Sequence, residues 1–431
     1  MMGAKISLED AFNQKEAYRT LLKLCKIGPR VSGTDAETRT VLLIEDYMRN
    51  AGLSSIHILG QEHQYYDAKK ATIGLPTDSD LVDGVPCWMS VSTPSGGIKS
   101  ESLYVGSYEM VENLNPKKVW NKIILAILDD SVKEAITAWG KLYGMNPAGV
   151  VFLDLSRDTA PRTFVNKTLT PFFSRTPSIV VAAKSVRSIH TQMFGTTLKL
   201  VVEGSTGSGV VQSIHGKLNG KKIDTVLICA HHDTYSLSSG ATDNAAGVAI
   251  MLEIARILAQ QDTNLSYQFV SFGGEELGMK GSWAYVSEVD LKDVKLCINL
   301  DSIGELPGML LALAAGSDEM IGWLSNIASK NEYPARCRRT AISGGDNKVF
   351  AANGISTIHL ASHGTTTGKV SHSSIDDASL LTPFTIGEMG KFAISIIEGL
   401  ENSKAIPFNL EIPADLVRAA KQKIIDTRRT L

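Results

Sequence analysis

Residues 225–247 read TVLICAHHDTYSLSSGATDNAAG, and the fold turns on them. The run 225–230 is apolar, short and unbroken, which marks a strand buried on both faces. His231, His232 and Asp233 follow at its carboxyl end, and after a polar loop a helical run begins at Ala245 and continues to Gln260. A buried strand, a turn crowded with titratable groups and an apolar helix form the opening of a strand-helix-strand unit.

The same alternation continues downstream. Strands are expected at 266–272, 294–300, 309–314 and 356–361, with helices near 277–288, 319–330 and 381–400. Strands of this kind, alternating with helices, predict an α/β fold with a mostly parallel central sheet flanked by helices. A charged amphipathic helix is expected at 414–428. Upstream, a helix over 8–25 with Ser7 as its cap precedes a second helix that starts at Thr34. There Thr34 and Glu37 have capping-box spacing, and a short strand follows at 54–59.

Between these parts the composition changes. Eight of the 14 prolines fall between Pro76 and Pro177. Short strand-like runs at 103–106, 122–128, 150–155 and 178–183 are interrupted only by modest helices near 132–142 and 185–193. The sequence therefore predicts a β-rich domain, 76–204, inserted into a discontinuous catalytic domain of 1–75 and 205–405. Residues 406–431 form a helical tail. The glycine-rich run 204–209 lacks the Gly-Lys-Ser/Thr of a phosphate loop and reads as a flexible boundary.

Charge limits the classes of partner. Lys and Arg number 43 against 45 Asp and Glu, a net charge of −2, so nucleic acid and anionic membrane are not expected. No apolar run is long enough to span a bilayer, and no secretory leader is seen. The five cysteines are scattered without a C-x-x-C pair, which fits a reducing cytoplasm. Homo-oligomerisation is compatible with the sequence but not specified by it.

Three acidic or histidine clusters sit just past strand ends: His231 to Asp233, then Gly273-Gly-Glu-Glu-Leu-Gly278, then Asp301. Parallel sheets gather such ends on one rim. Asp243 and His372 reach the rim by loops. Singly, each has a plain alternative, and Asp243 fits a helix cap as well as a ligand. Together, so many carboxylates and imidazoles without matching Lys or Arg would repel one another unless cations fill the site. Oxygen and nitrogen donors without thiolates suit zinc, with cobalt or manganese as alternatives. His232 and His359 read as structural, and Cys229 and Cys297 as packing. The nucleophile elbow of serine hydrolases and the His-Glu-x-x-His helix are both missing.

The runs AHHDT, GATDNAAG, FGGEELG, NLD and SHSSIDD, in that order, resemble peptidase family M28, the di-zinc peptidases of aminopeptidase Y and leucyl aminopeptidase type. The segment 28–53 resembles the family's opening helices, and the proline-rich insert resembles a protease-associated domain. The resemblance implies two zinc ions, one held by His231 and Asp301 and the other by Glu276 and His372, with Asp243 bridging. It makes Glu275 the general base and Asp233 the residue that orients His231. Asp376 would support the loop of the last histidine. Two departures stand out: Ser371 replaces the family's usual tyrosine, and Gly345-Asp346-Asn347 replaces its Ser-Asp-His. The implied activity is removal of N-terminal residues from peptides. The alternatives are a carboxypeptidase or dipeptidase on the same fold, with Arg336, Arg338 and Arg339 as candidate carboxylate binders, a glutaminyl-cyclase-like acyltransferase, or a non-catalytic binding protein.

Overall fold

A computed structural model of the chain describes residues 7–77, 81–129, 132–185, 194–304, 308–364 and 367–430. The chain divides into two units. Of the described residues, one unit takes those within Met1–His63, Ser208–Ser371 and Asp376–Arg428, and the other takes Gln64–Gly207 with His372–Ile375. Two of the crossings, at 63/64 and 207/208, fall inside long strands, β1 (Ser54–Gly74) and β7 (Thr197–Leu218). The sequence boundaries were 75/76 and 204/205.

The expected flexible run at 204–209 is therefore corrected: it is strand. Its glycines answer to close packing. A Cβ on Gly209 would stand 1.8 Å from the carbonyl oxygen of Gly33, and one on Gly204 would stand 2.4 Å from the Tyr66 hydroxyl. The expected strand at 54–59 is likewise only the beginning of β1.

In the first unit, β8 (Thr225–His231) lies between β9 (Ser266–Phe272) and β10 (Val294–Leu300) and is parallel to both. β10 pairs in parallel with β13 (Ser356–Gly364). β11 (Gly308–Ala315) runs antiparallel to β13 and carries β12 (Ala335–Arg339) at the sheet edge. On the other side β7 runs antiparallel to β9. The centre is thus parallel, as expected, and antiparallel strands flank it.

Both faces of β8 are covered. Val226, Ile228 and Ala230 join the large core beneath the helices Gln14–Ile27, Asp35–Asn50, Ala246–Leu258 and Pro383–Glu401. Leu227 and Cys229 face the other way, against Phe272, Tyr285 and Phe350. In the helix Ala246–Leu258 every residue but Arg256 is buried, which explains why that stretch lacks a polar face. Each fully buried Leu or Ile in it contributes ~1.5–3 kcal/mol.

At the N-terminus the expected helix 8–25 begins instead at Gln14, where the Asn13 side chain accepts from the N–H groups of Lys15 and Glu16. The expected capping box does not form either. Thr34 Oγ1 donates to the Val31 carbonyl, while Glu37 turns inward to accept from Gly33 N at 2.7 Å. A strand absent from the sequence reading is β12, whose exposed Arg336 and Arg338 charge an open sheet edge.

The second unit is built on four parallel strands: β3 (Ile98–Gly106), β4 (Ile123–Ile127), β5 (Gly149–Asp154) and β6 (Ser178–Ala182). β2 (Leu81–Pro86) joins antiparallel between β6 and β1, and β7 runs antiparallel to β3. Alternation sorts the side chains: Ile124, Val150 and Phe152 enter one core with Trp139, and Ile123, Leu125 and Val151 enter the other. The expected helix near 132–142 spans Lys133–Tyr143. From residue 186 onward, the expected helix 185–193 lies outside the described residues. Among the described residues, no helix is long and apolar enough to cross a membrane.

Candidate metal centre

Register brings the acidic groups together. His231 pairs with Phe272, and Asn299 pairs with both Cys229 and His359, so the carboxyl ends of β8, β9, β10 and β13 are level. The loops leaving those ends therefore share one rim. His231 Nε2 lies 3.1 Å from Asp243 Oδ1 and 3.4 Å from Asp301 Oδ1. One ligand atom each from His231, Asp243 and Glu276 falls within 4.8 Å of the others, and all three residues are buried. Buried carboxylates this close are costly unless a cation joins them. The nitrogen and oxygen donor set fits a zinc-type ion.

The other edge of the histidine is also engaged. His231 Nδ1 lies 3.2 Å from the Asp233 carbonyl and 3.5 Å from Asp233 Oδ1, which turns Nε2 toward the carboxylates. Burial works against charging this ring, but its bonds to Asp233, Asp243 and Asp301 outweigh that and hold its pKa well above the ordinary histidine value. In Asp233 and Asp301, burial raises the pKa while the bond to His231 lowers it, and the lowering wins. Asp233 also accepts from Glu275 N at 3.1 Å and Glu276 N at 3.3 Å, fixing the turn that carries both glutamates. The Glu275 carboxyl is pushed up to about 7 by burial, with His231 opposing and Asp301 adding to the shift.

Asp243 is not the cap of the following helix. Asn244 does that work: its Oδ1 accepts from Gly247 N at 3.1 Å and its Nδ2 donates to the Leu300 carbonyl at 2.8 Å. The Asp243 side chain is left to face His231. Asp376 holds this loop from beneath, accepting from Thr242 N at 2.8 Å and Asp243 N at 3.1 Å. The sequence reading places Asp376 in support of the loop of His372, and the bonds of its carboxylate run to the loop of Asp243. Tyr235 adds a hydrogen bond to the Glu276 carbonyl at 2.9 Å.

The other expected residues have partners of their own. His372 belongs by its contacts to the second unit, where its carbonyl accepts from Thr163 N at 3.3 Å. His232 is structural, with Nδ1 2.9 Å from Ser271 Oγ, and His359 is a core residue 3.2 Å from Asn299 Nδ2. Arg336 and Arg338 are exposed on the edge strand, and Arg339 bonds Asp318 at 2.9 Å. They do not line the rim of β8, β9 and β10, from which the order of strands separates them by β13 and β11. Sequence reasoning missed Arg30, Ser32, Asn244 and Tyr235. The first two lie in the segment 28–53, whose resemblance was noted without a role for either residue.

Comparison with known proteins gives a consistent result. The sequence pattern of peptidase family M28 matches residues 213–397. Aminopeptidase YwaD of Bacillus subtilis is 30% identical over 304 residues, which cover 68% of this chain and 62% of that protein. The chain thus spans less than two thirds of that relative's length. Among solved structures, a zinc aminopeptidase from Bacillus subtilis superposes with a TM-score of 0.71 at 23% identity, covering 94% of this chain and 99% of the other. A peptidase M28 precursor from Shewanella amazonensis gives 0.76 at 16% identity, with 94% and 97% covered. At these identities the likeness concerns the fold.

Proposed function

The chain belongs to peptidase family M28, and from that premise we propose that it is a zinc-dependent aminopeptidase releasing N-terminal residues from peptides. The observation that carries the reading is the convergence of His231, Asp243, Asp301 and Glu276 at level strand ends, with Glu275 in the same turn. In this proposal His231 and Asp301 would hold one ion and Glu276 and His372 a second, with Asp243 shared between the two. The part given to His372 rests on the sequence resemblance alone. Bound zinc would supply Lewis acidity toward the scissile carbonyl and lower the pKa of water.

The chain's own groups do the rest. Asp233 sets the orientation of His231, leaving Nε2 for the ion. Glu275, in the turn that Asp233 fixes, would take the proton of the attacking water and return it to the departing amine. Carboxylates not committed to metal favour a substrate ammonium, which supports an aminopeptidase over a carboxypeptidase. The second unit is read as an inserted protease-associated-like domain, supported by its place in the chain and its strand-rich build. The five free thiols agree with a reducing, cytoplasmic setting.

The test uses a short peptide with free termini and the zinc-loaded protein. Release of the N-terminal residue should stop on chelation and return with added zinc. Cleavage that persists in the chelated protein would overturn metal dependence.

A further inference from the structure

We propose that Arg30 and Ser32 are positioning residues for the metal centre, holding the two loops that carry Asp233, Asp243, Glu275 and Glu276. This inference rests on the zinc reading above. It concerns the segment before the second helix, which supplies none of the expected ligands.

Arg30 is completely buried. Its Nε donates to the His232 carbonyl at 2.7 Å, Nη1 to the Ser239 carbonyl at 2.6 Å, and Nη2 to the Gly240 carbonyl at 3.1 Å. Its backbone N–H donates to Thr234 Oγ1 at 2.8 Å, and its carbonyl accepts from Thr234 N at 3.2 Å. One residue therefore fastens both ends of the loop that leads from His231 to Asp243. Gly240, at a φ of 54°, allows this approach, because a Cβ there would stand 3.0 Å from Arg30 Nη2 and 2.4 Å from the Asp243 carbonyl. The guanidinium also places a fixed positive charge among Asp233, Asp243 and Asp376.

Ser32 links that loop to the next. Its hydroxyl donates to Asp233 Oδ2 at 3.0 Å and accepts from Gly274 N at 3.1 Å. Asp233 in turn accepts from the N–H groups of Glu275 and Glu276. The bonds close a ring through Ser32, Asp233 and the 274–276 turn. Carboxylates awaiting a cation repel one another, and loops free to spread would have to be gathered when the ion binds. A fixed arginine and a closed ring of hydrogen bonds meet that cost during folding, so the ion finds its ligands already arranged.

The experiment is a zinc titration by chelator competition on wild type, Ser32→Ala and Arg30→Met, with thermal unfolding measured with and without zinc. Ser32→Ala should weaken zinc binding by ~10- to 100-fold and shrink the rise in Tm that zinc confers. Arg30→Met should do the same, and Arg30→Lys, which keeps the charge and one donor group, should recover part of the loss. Zinc affinity unchanged in Ser32→Ala, with Tm lowered equally in the zinc-free and zinc-bound forms, would overturn the proposal and leave a purely structural role. That variant decides the matter alone if Arg30→Met does not fold. Wild type that binds no zinc would overturn the zinc reading itself, a different result from wild-type binding matched by the variants.

Discussion

Asp243 and Asn244 are adjacent, both buried, and do different work. Asn244 completes the start of a core helix and holds the end of β10, so Asn244→Ala should cost ~1–2 kcal/mol in urea unfolding of the zinc-free protein. Asp243→Asn should cost less of that stability than Asn244→Ala does while metal content falls, because its side chain faces His231 and the bond to Gly247 N at the helix start is made by Asn244. Equal losses of stability in the two variants would refute this division. The glutamate pair divides in the same way. Glu275→Gln should retain bound zinc and lose ~10²- to 10⁴-fold in kcat, whereas Glu276→Ala should lose metal, as elemental analysis and steady-state kinetics would show. That His231, Glu276 and Asp301 come to one rim could be read from the sequence because each stands at or just beyond the end of an apolar run. Arg30 and Asn244 could not, because their partners are backbone carbonyls and N–H groups that only the folded loops bring near. An arginine buried against carbonyls leaves no pattern in composition or period.

At the scale of elements, buried strands and helices were legible from apolar runs, while glycine and charge misled. The run 204–209 looked like a linker because glycine is permissive. In the fold its glycines let Gly33 and tyrosine side chains come close to β7. Gly209→Val should therefore be destabilising by ~1–3 kcal/mol or more, since the Gly33 backbone cannot move aside as a side chain can. A flexible hinge would tolerate the change, so unfolding midpoints equal to wild type would restore the linker reading. β12 was missed for the converse reason: three arginines in five residues resemble a solvated loop, yet charge of this kind suits an exposed sheet edge. The capping box failed because Glu37 is drawn into the interior beside His232, a pull that its spacing from Thr34 does not reveal.

For the molecule as a whole, acid should weaken the fold through buried imidazoles as well as through the rim. Burial, with the charges of His57 and Lys217, pushes the His215 ring down to about 4, while in the unfolded chain it titrates near 6.5. The unfolded state therefore binds the extra proton first, and stability is lost as pH falls from about 6.5 toward 4. In zinc-free protein, His215→Asn should reduce the stability difference between pH 7 and pH 4.5 by on the order of 2 kcal/mol. An unaltered difference would mean that the ring is protonated without cost in the fold.

The central claim is that a metal-bearing rim acts on peptides with a free amino terminus. Its most direct test compares one peptide with its N-acetylated twin, both incubated with zinc-loaded protein and followed by mass spectrometry. Acetylation removes the ammonium and leaves the first scissile carbonyl in place. The account predicts stepwise loss of N-terminal residues from the free peptide and no cleavage of the acetylated one. Equal cleavage of both, or loss of residues from the carboxyl end, would contradict it.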